Sequence, residues 1–290
     1  MRRTLLPVLL GAVLALPAAA QPVPVVAAEN FYGDLARQVG GDGVAAESIL
    51  SNPDQDPHLF EASPSVARAL AGARIVIENG ADYDPWMAKL LAAGRGPAGR
   101  QVVVVADLVG KHAGDNPHLW YDPATMPAVA RALAAALDTA DPAGAAGYDA
   151  RLQDFLRSLQ PLDERIAAIR ARHAGVEVAA TEPVFGYMAD ALGLHMREAR
   201  FQLAVMNDTE PRASDVAAFE ADLGGHKVAL LLYNSQATNA AARRVLGVAR
   251  KAGVPVVGVT ETEPAGKTYQ AWMLDQLDAV DRALSGAPRR

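Results

Sequence analysis

The chain has 290 residues, with 27 lysines and arginines against 33 aspartates and glutamates, and no cysteine. The acidic balance argues against a nucleic-acid partner, which needs a basic surface, and the missing thiols exclude disulfides and thiolate metal ligands. The length suits one large domain or two of ordinary size.

At the N-terminus, Arg2 and Arg3 precede an apolar run over residues 5–16 and the stretch Pro17-Ala18-Ala19-Ala20. That order of charge, apolar core and small residues reads as a secretory signal peptide over residues 1–20, cleaved after Ala20. The run falls short of the ~20 apolar residues that a spanning helix needs. Without a cysteine at the processing site, the expected mature protein is periplasmic, monomeric and not a lipoprotein.

Next come β-branched runs at 23–27, 44–50, 75–78 and 102–106, which read as buried strands. Ser63-Pro64, Asp84-Pro85 and Asp122-Pro123 each set a capping side chain before a proline, the mark of a helix start, and Gly72 and Gly94 fall where the first two helices should stop. From Asp141-Pro142 onward, Tyr148, Leu152, Phe155, Leu159, Leu162, Ile166 and Ile169 keep helical spacing to His173. One long helix is predicted there, irregular at Pro161, with no strand signal inside it. Strands resume at 176–181, 227–233 and 254–259, with a further candidate at 195–200. Helices are expected over 184–192, 214–222, 239–251 and 268–284. The fold class is therefore α/β, with an N-terminal lobe over 21–140, a connecting helix over 141–173 and a C-terminal lobe over 174–290, both sheets mostly parallel.

Parallel α/β sheets bind ligands outside the carboxyl ends of their strands, so polar residues just after each strand are the candidates. Four stand out. His58 follows the second strand in Asp56-Pro57-His58-Leu59, and His118 follows the fourth in Asn116-Pro117-His118-Leu119-Trp120. Glu182 ends the strand at 176–181, and Glu261 follows the last one, with Glu263 a competitor for its role. Both histidines stand in Pro-His-Leu, shortly before an Asp/Ser-Pro helix start. His112, His173, His195 and His226 lack such a setting. Imidazole with carboxylate suits Zn2+, Mn2+ or Fe2+.

These segments resemble the metal-specific solute-binding proteins of zinc and manganese ABC importers. The resemblance rests on 56–65 (Asp-Pro-His-Leu-Phe-Glu-Ala-Ser-Pro-Ser), 79–86, 116–120, Glu210-Pro211-Arg212 and Lys267-Thr268-Tyr269. It implies two lobes bridged by one long helix and a metal in the inter-lobe cleft on His58, His118, Glu182 and Glu261. The fourth position is usually Asp in that family and is Glu here. The His-rich loop of many zinc members is replaced by residues 107–115, which hold only His112. The implied cargo is Zn2+, with Mn2+ next. The implied partner is an inner-membrane ABC permease, with a metallochaperone as a second candidate. No catalytic role is expected, since neither H-E-x-x-H nor G-x-S-x-G occurs. The alternatives are a binder of a larger solute, such as a metal chelate, and a metallohydrolase.

Overall fold

Two four-stranded parallel sheets, built to the same plan, organise the chain; the computed structural model describes residues 21–52, 60–236 and 239–286. In the first, β1 (Val23–Glu29), β2 (Val44–Leu50), β3 (Ile75–Glu78) and β4 (Gln101–Val104) lie in the order β2-β1-β3-β4. In the second, β5 (Glu177–Ala180), β6 (His195–Arg197), β7 (Leu231–Asn234) and β8 (Val256–Val259) lie in the order β6-β5-β7-β8. Alternation along each strand feeds two packing layers. Val25 and Ala27 enter a core that runs through both lobes, while Val26 and Ala28 pack outward with Leu70, Val76 and Met87. Likewise Val178 and Leu232 face the shared core, and Ala179 and Leu231 face Phe201, Phe219 and Val245. Sheets covered on both faces explain why the strands read as continuous apolar runs.

The first lobe carries α1 (Asn30–Gly40), α2 (Pro64–Gly72), α3 (Pro85–Ala93), α4 (Val105–Leu108) and α5 (Thr125–Ala140). The prolines open α2 and α3 as the sequence marks them. Helix α1 carries no such mark: it continues directly from β1, its preceding residue is Glu29, and no side chain caps it. Its Gly33 lets α1 lie close to β2: a Cβ there would stand 1.9 Å from Ser48 Oγ and 3.3 Å from Ser48 Cβ, so the serine side chain would have to turn aside. The expected strand at 102–106 ends at Val104, where the backbone turns into the single helical turn α4. Helix α5 begins two residues after Pro123, because a 3-10 turn over Leu119–Tyr121 and the bond from Ala124 N to Asp122 Oδ1 (2.9 Å) occupy its approach.

The connecting helix runs as α6 (Ala145–Ser158) and α7 (Gln160–His173), interrupted only at Leu159. Pro161 has no N–H to give to the carbonyl four residues earlier, so the helix bends there instead of ending. Bonds from Leu162 N and Asp163 N to Leu159 O, at 2.9 and 3.3 Å, carry it through. The second lobe adds α8 (Gly186–Ala191), α9 (Ala199–Met206), α10 (Ala213–Gly224), α11 (Ala240–Ala252) and α12 (Tyr269–Gly286). The strand expected over 195–200 stops at Arg197: Glu198 takes a left-handed conformation (φ 63°) and turns the chain into α9. Helix α12 returns along the connector. There the buried Asp281 receives Arg172 at 2.6 Å, Arg165 at 3.1 Å and His173 Nε2 at 3.1 Å. Among the described residues, no helix is long and apolar enough to cross a membrane.

Candidate metal centre

His118 is aimed by its own turn. Asn116 Oδ1 accepts the backbone N–H of His118 at 3.2 Å and lies 2.7 Å from its Nδ1. An Asn-Pro pair favours this side-chain-closed turn. With the Nδ1 proton given to the amide oxygen, Nε2 is the nitrogen that can take a metal. That nitrogen lies 3.3 Å from Glu261 Oε2 across the lobe boundary, and both side chains are fully buried. The rings of Tyr83 and Trp120 stand edge-on to the imidazole, at centroid distances of 5.9 and 5.4 Å, and wall it in.

The carboxylates come together through the strand order. β7 lies between β5 and β8, so its last residue, Asn234, sits between the loops that carry Glu182 and Glu261. Its Nδ2 donates to Glu182 Oε2 at 3.2 Å and to Glu261 Oε1 at 2.6 Å. Gln236 Oε1 accepts the backbone N–H of Glu261 at 2.6 Å, and Tyr83 OH donates to Glu261 Oε2 at 3.0 Å from the opposite lobe. Burial first, then the Glu261 charge, pushes the Tyr83 hydroxyl well above its ordinary range, so it stays a donor. Asn116 links the two halves of the site: its Nδ2 donates to Pro183 O, beside Glu182, at 2.8 Å. Gly186 makes room for it, since a Cβ there would stand 2.8 Å from that nitrogen.

Of the four sequence candidates, His118, Glu182 and Glu261 are thus gathered around Asn234 and Asn116, and His58 lies outside the described residues. Among the described residues, no three His, Asp or Glu side chains form a complete ligand cluster; His118 and Glu261 are in contact, and Asn234 bonds both Glu182 and Glu261. Glu263 points elsewhere. It lines a cavity of about 570 Å³ with Asp34, Arg37, Ser48 and Lys267, and its backbone is bonded to Asn30. Burial, then Asp34, raises its carboxyl to about 8, with Arg37 opposing. The remaining described histidines are held apart from the centre. His173 is bonded within the connector, His112 and His195 pair with Asp115 and Glu177 on the surface, and His226 is exposed in a turn.

Asn116, Asn234, Gln236 and Tyr83 were not singled out from sequence. Two signals were present. Asn116 heads the Asn-Pro-His motif, and Asn234 ends a strand, the position already used to find Glu182 and Glu261. Behind the site lies a buried acidic group. Asp84 accepts the N–H groups of Asn79 and Gly80 at 2.7 and 2.8 Å. Burial nevertheless lifts its carboxyl to about 6. Burial, then Asp84, pushes Glu29 well up as well, and burial with Asp84 and Asp107 takes Glu78 to about 7.

A family model described as "Zinc-uptake complex component A periplasmic" (ZnuA) matches residues 25–283. The chain is similar to the manganese ABC transporter substrate-binding lipoprotein PsaA of Streptococcus anginosus, at 23% identity over 286 residues, covering 91% of this chain and 90% of that one. It is 25% identical over 221 residues to the high-affinity zinc uptake system protein ZnuA of Paracoccus denitrificans, covering 62% and 67%. The solved structure of the periplasmic zinc binding protein TroA from Treponema pallidum matches with a TM-score of 0.76 at 20% identity, over 91% of this chain and 99% of that one. That likeness concerns the fold. The name of the first relative corrects one expectation. Lipid anchoring occurs among proteins of this kind, so the exclusion of a lipoprotein does not stand. It rested on the missing cysteine alone.

Proposed function

This chain belongs to the ZnuA family of metal-specific solute-binding proteins of ABC importers, and we propose that it holds its cargo ion on His58, His118, Glu182 and Glu261 in the cleft between the lobes. Its role is to capture a divalent transition metal outside the cytoplasm and deliver it to the membrane permease of the importer. The observation that carries the ligand set is the meeting of His118 Nε2 and Glu261 Oε2 at 3.3 Å, from opposite lobes and fully buried. Two imidazoles and two carboxylates suit Zn2+, Mn2+ or Fe2+ and disfavour Cu(I).

The hydrogen bonds on the carboxylates favour zinc. Glu261 has one oxygen held by Asn234 and the other by Tyr83, and Glu182 Oε2 is held by Asn234. With these bonds fixing their orientation, one oxygen from each carboxylate and one nitrogen from each imidazole would complete the four-coordinate tetrahedral shell zinc prefers. Manganese, the second candidate, would need bidentate carboxylates or water to extend that number. The ion then ties the lobes. His118 reaches it from the first lobe and Glu182 and Glu261 from the second, so loaded and empty forms differ in cleft shape. The permease can read that difference.

Calorimetric titration of the stripped protein with Zn2+ and Mn2+ tests this reading. One equivalent of Zn2+ should bind more tightly than Mn2+, and His118→Ala and Glu261→Gln should each lose it. Binding retained in both variants would remove these residues from the ligand set.

A further inference from the structure

We propose that Asn30 is a positioning residue for the metal site: it clamps the loop that carries Glu261 to the opposite lobe, so that this ligand is set before the ion arrives. The proposal rests on the reading that Glu261 is a ligand. Asn30 is the first residue of α1, and its side chain makes a reciprocal pair of bonds with the backbone of Glu263. Its Nδ2 donates to Glu263 O at 2.7 Å, and its Oδ1 accepts Glu263 N–H at 3.0 Å. That is the two-bond pattern by which one strand residue holds another. It falls two residues from Glu261, on a loop belonging to the other lobe.

The clamp heads a row. Asn30, Asp34 and Gln38 are spaced by four and share one face of α1. Each is bonded to the C-terminal lobe. Asp34 Oδ2 accepts Tyr269 N–H at 3.0 Å, and Gln38 and Gln270 exchange amide bonds at 3.0 and 2.9 Å. Gln270 also donates to Ser158 Oγ at 2.7 Å, at the end of α6. Tyr269 OH donates to Trp120 O at 2.7 Å, two residues from His118. A seam of side-chain bonds therefore runs from the Glu261 loop to the bend in the connecting helix. Only its first member grips the ligand loop next to the ligand.

An amide is the one side chain of this size that can both donate to the carbonyl and accept from the N–H of a single residue. Alanine loses both bonds. Aspartate keeps the acceptor but sets a carboxylate against the Glu263 carbonyl. Groups that orient ligands without touching the metal change affinity by about 10- to 100-fold when removed. A preset ligand slows dissociation more than it speeds association, because the loop need not be reordered after each transient opening.

Stopped-flow release of Zn2+ to a chromophoric chelator tests the proposal on wild type, Asn30→Ala, Asn30→Asp and Gln38→Ala, with melting of each metal-free protein in parallel. The expected result is dissociation about tenfold or more faster in Asn30→Ala, intermediate in Asn30→Asp, and within about twofold of wild type in Gln38→Ala. Gln38→Ala removes a comparable number of inter-lobe bonds, so a similar loss of melting temperature in both alanine variants separates positioning from general stability. Should Asn30→Ala fail to fold, Asn30→Asp carries the test. An Asn30 series that dissociates like wild type, or a Gln38→Ala variant that dissociates as fast as Asn30→Ala, overturns it. Wild-type protein that binds no Zn2+, or Glu261→Gln that binds it normally, sinks the ligand reading instead.

Discussion

Asn116 holds the ring of His118 with the same amide oxygen that closes its turn, 2.7 Å from Nδ1 and 3.2 Å from the backbone nitrogen. Its amide nitrogen meanwhile donates to Pro183 O at 2.8 Å, next to Glu182 in the other lobe. One side chain thus fixes the tautomer of a proposed ligand and the place of its neighbour. Asn116→Ala should weaken Zn2+ binding by about 10- to 100-fold without changing the stoichiometry. Asn116→Asp, which keeps an acceptor for Nδ1 but loses the donor to Pro183, should lose less. Competition against a chromophoric chelator measures both, and an Asn116→Ala affinity equal to wild type would show that Asn116 does not aim the ring.

Asn234 holds two buried carboxylates apart and in place. Without its amide, Glu182 and Glu261 each lose a donor inside the cleft. Asn234→Ala should therefore cost about 1–3 kcal/mol in the metal-free protein. Zn2+ stabilises the folded state of both proteins, by about 2.7 kcal/mol at a hundredfold excess over Kd, and at one Zn2+ concentration the weaker binder gains less. Melting curves with and without metal should therefore show the gap between variant and wild type widening on loading. An unchanged gap would mean the amide supports the fold without orienting the proposed ligands.

The acid group behind the site makes stability depend on pH in an unusual direction. Glu78 is raised from 4.5 to about 7, so the folded state holds its proton more tightly than the unfolded chain does. The contribution of that proton to stability is full below about 4.5 and is lost as pH rises through about 7. Glu78→Gln, which cannot ionise, should match wild type near pH 4.5 and exceed it above pH 7. The gain should be on the order of 1 kcal/mol, since Glu78 is only partly buried and solvent screens it. Urea unfolding at several pH values reads this directly. An advantage for Gln that grew toward acid pH would contradict the sign.

Two indoles flank the proposed ligands. Trp120 is fully buried with its ring 5.4 Å from that of His118, and Trp272 Nε1 donates to Thr260 Oγ1 at 3.1 Å, one residue before Glu261. Zn2+ should change tryptophan emission with a stoichiometry of one. Trp120→Phe should remove most of that change while leaving binding by calorimetry in place, and an undiminished signal in the variant would assign it to Trp272 or Trp86.

Much of the scaffold could be read from punctuation. Ser63-Pro64 and Asp84-Pro85 open helices where they stand, and Pro161 bends the connecting helix where it removes a donor. Helix α1 escaped because it follows β1 without a loop or a capping side chain, so nothing local separates strand from helix. The stop at Glu198 escaped because a left-handed glutamate carries no sequence mark. At the site, Glu182 and Glu261 were legible as polar residues just past apolar strands. The role of Asn234 depends on β7 lying between β5 and β8, which is a fact of strand order. Glu261 and Glu263 could not be ranked from sequence because both follow the same strand; the clamp at Asn30 turns one away from the other.

The repeated strand order makes each half of the molecule a copy of one plan, yet the halves present their proposed donors differently. In the second lobe, Glu182 and Glu261 each stand two residues beyond a strand end. In the first, His118 hangs from a turn well past β4, aimed by an asparagine. The protein is in this sense a vise with one jaw set by strand ends and the other by a turn, so a change confined to Asn116 should misalign the histidine jaw while both sheets stay intact.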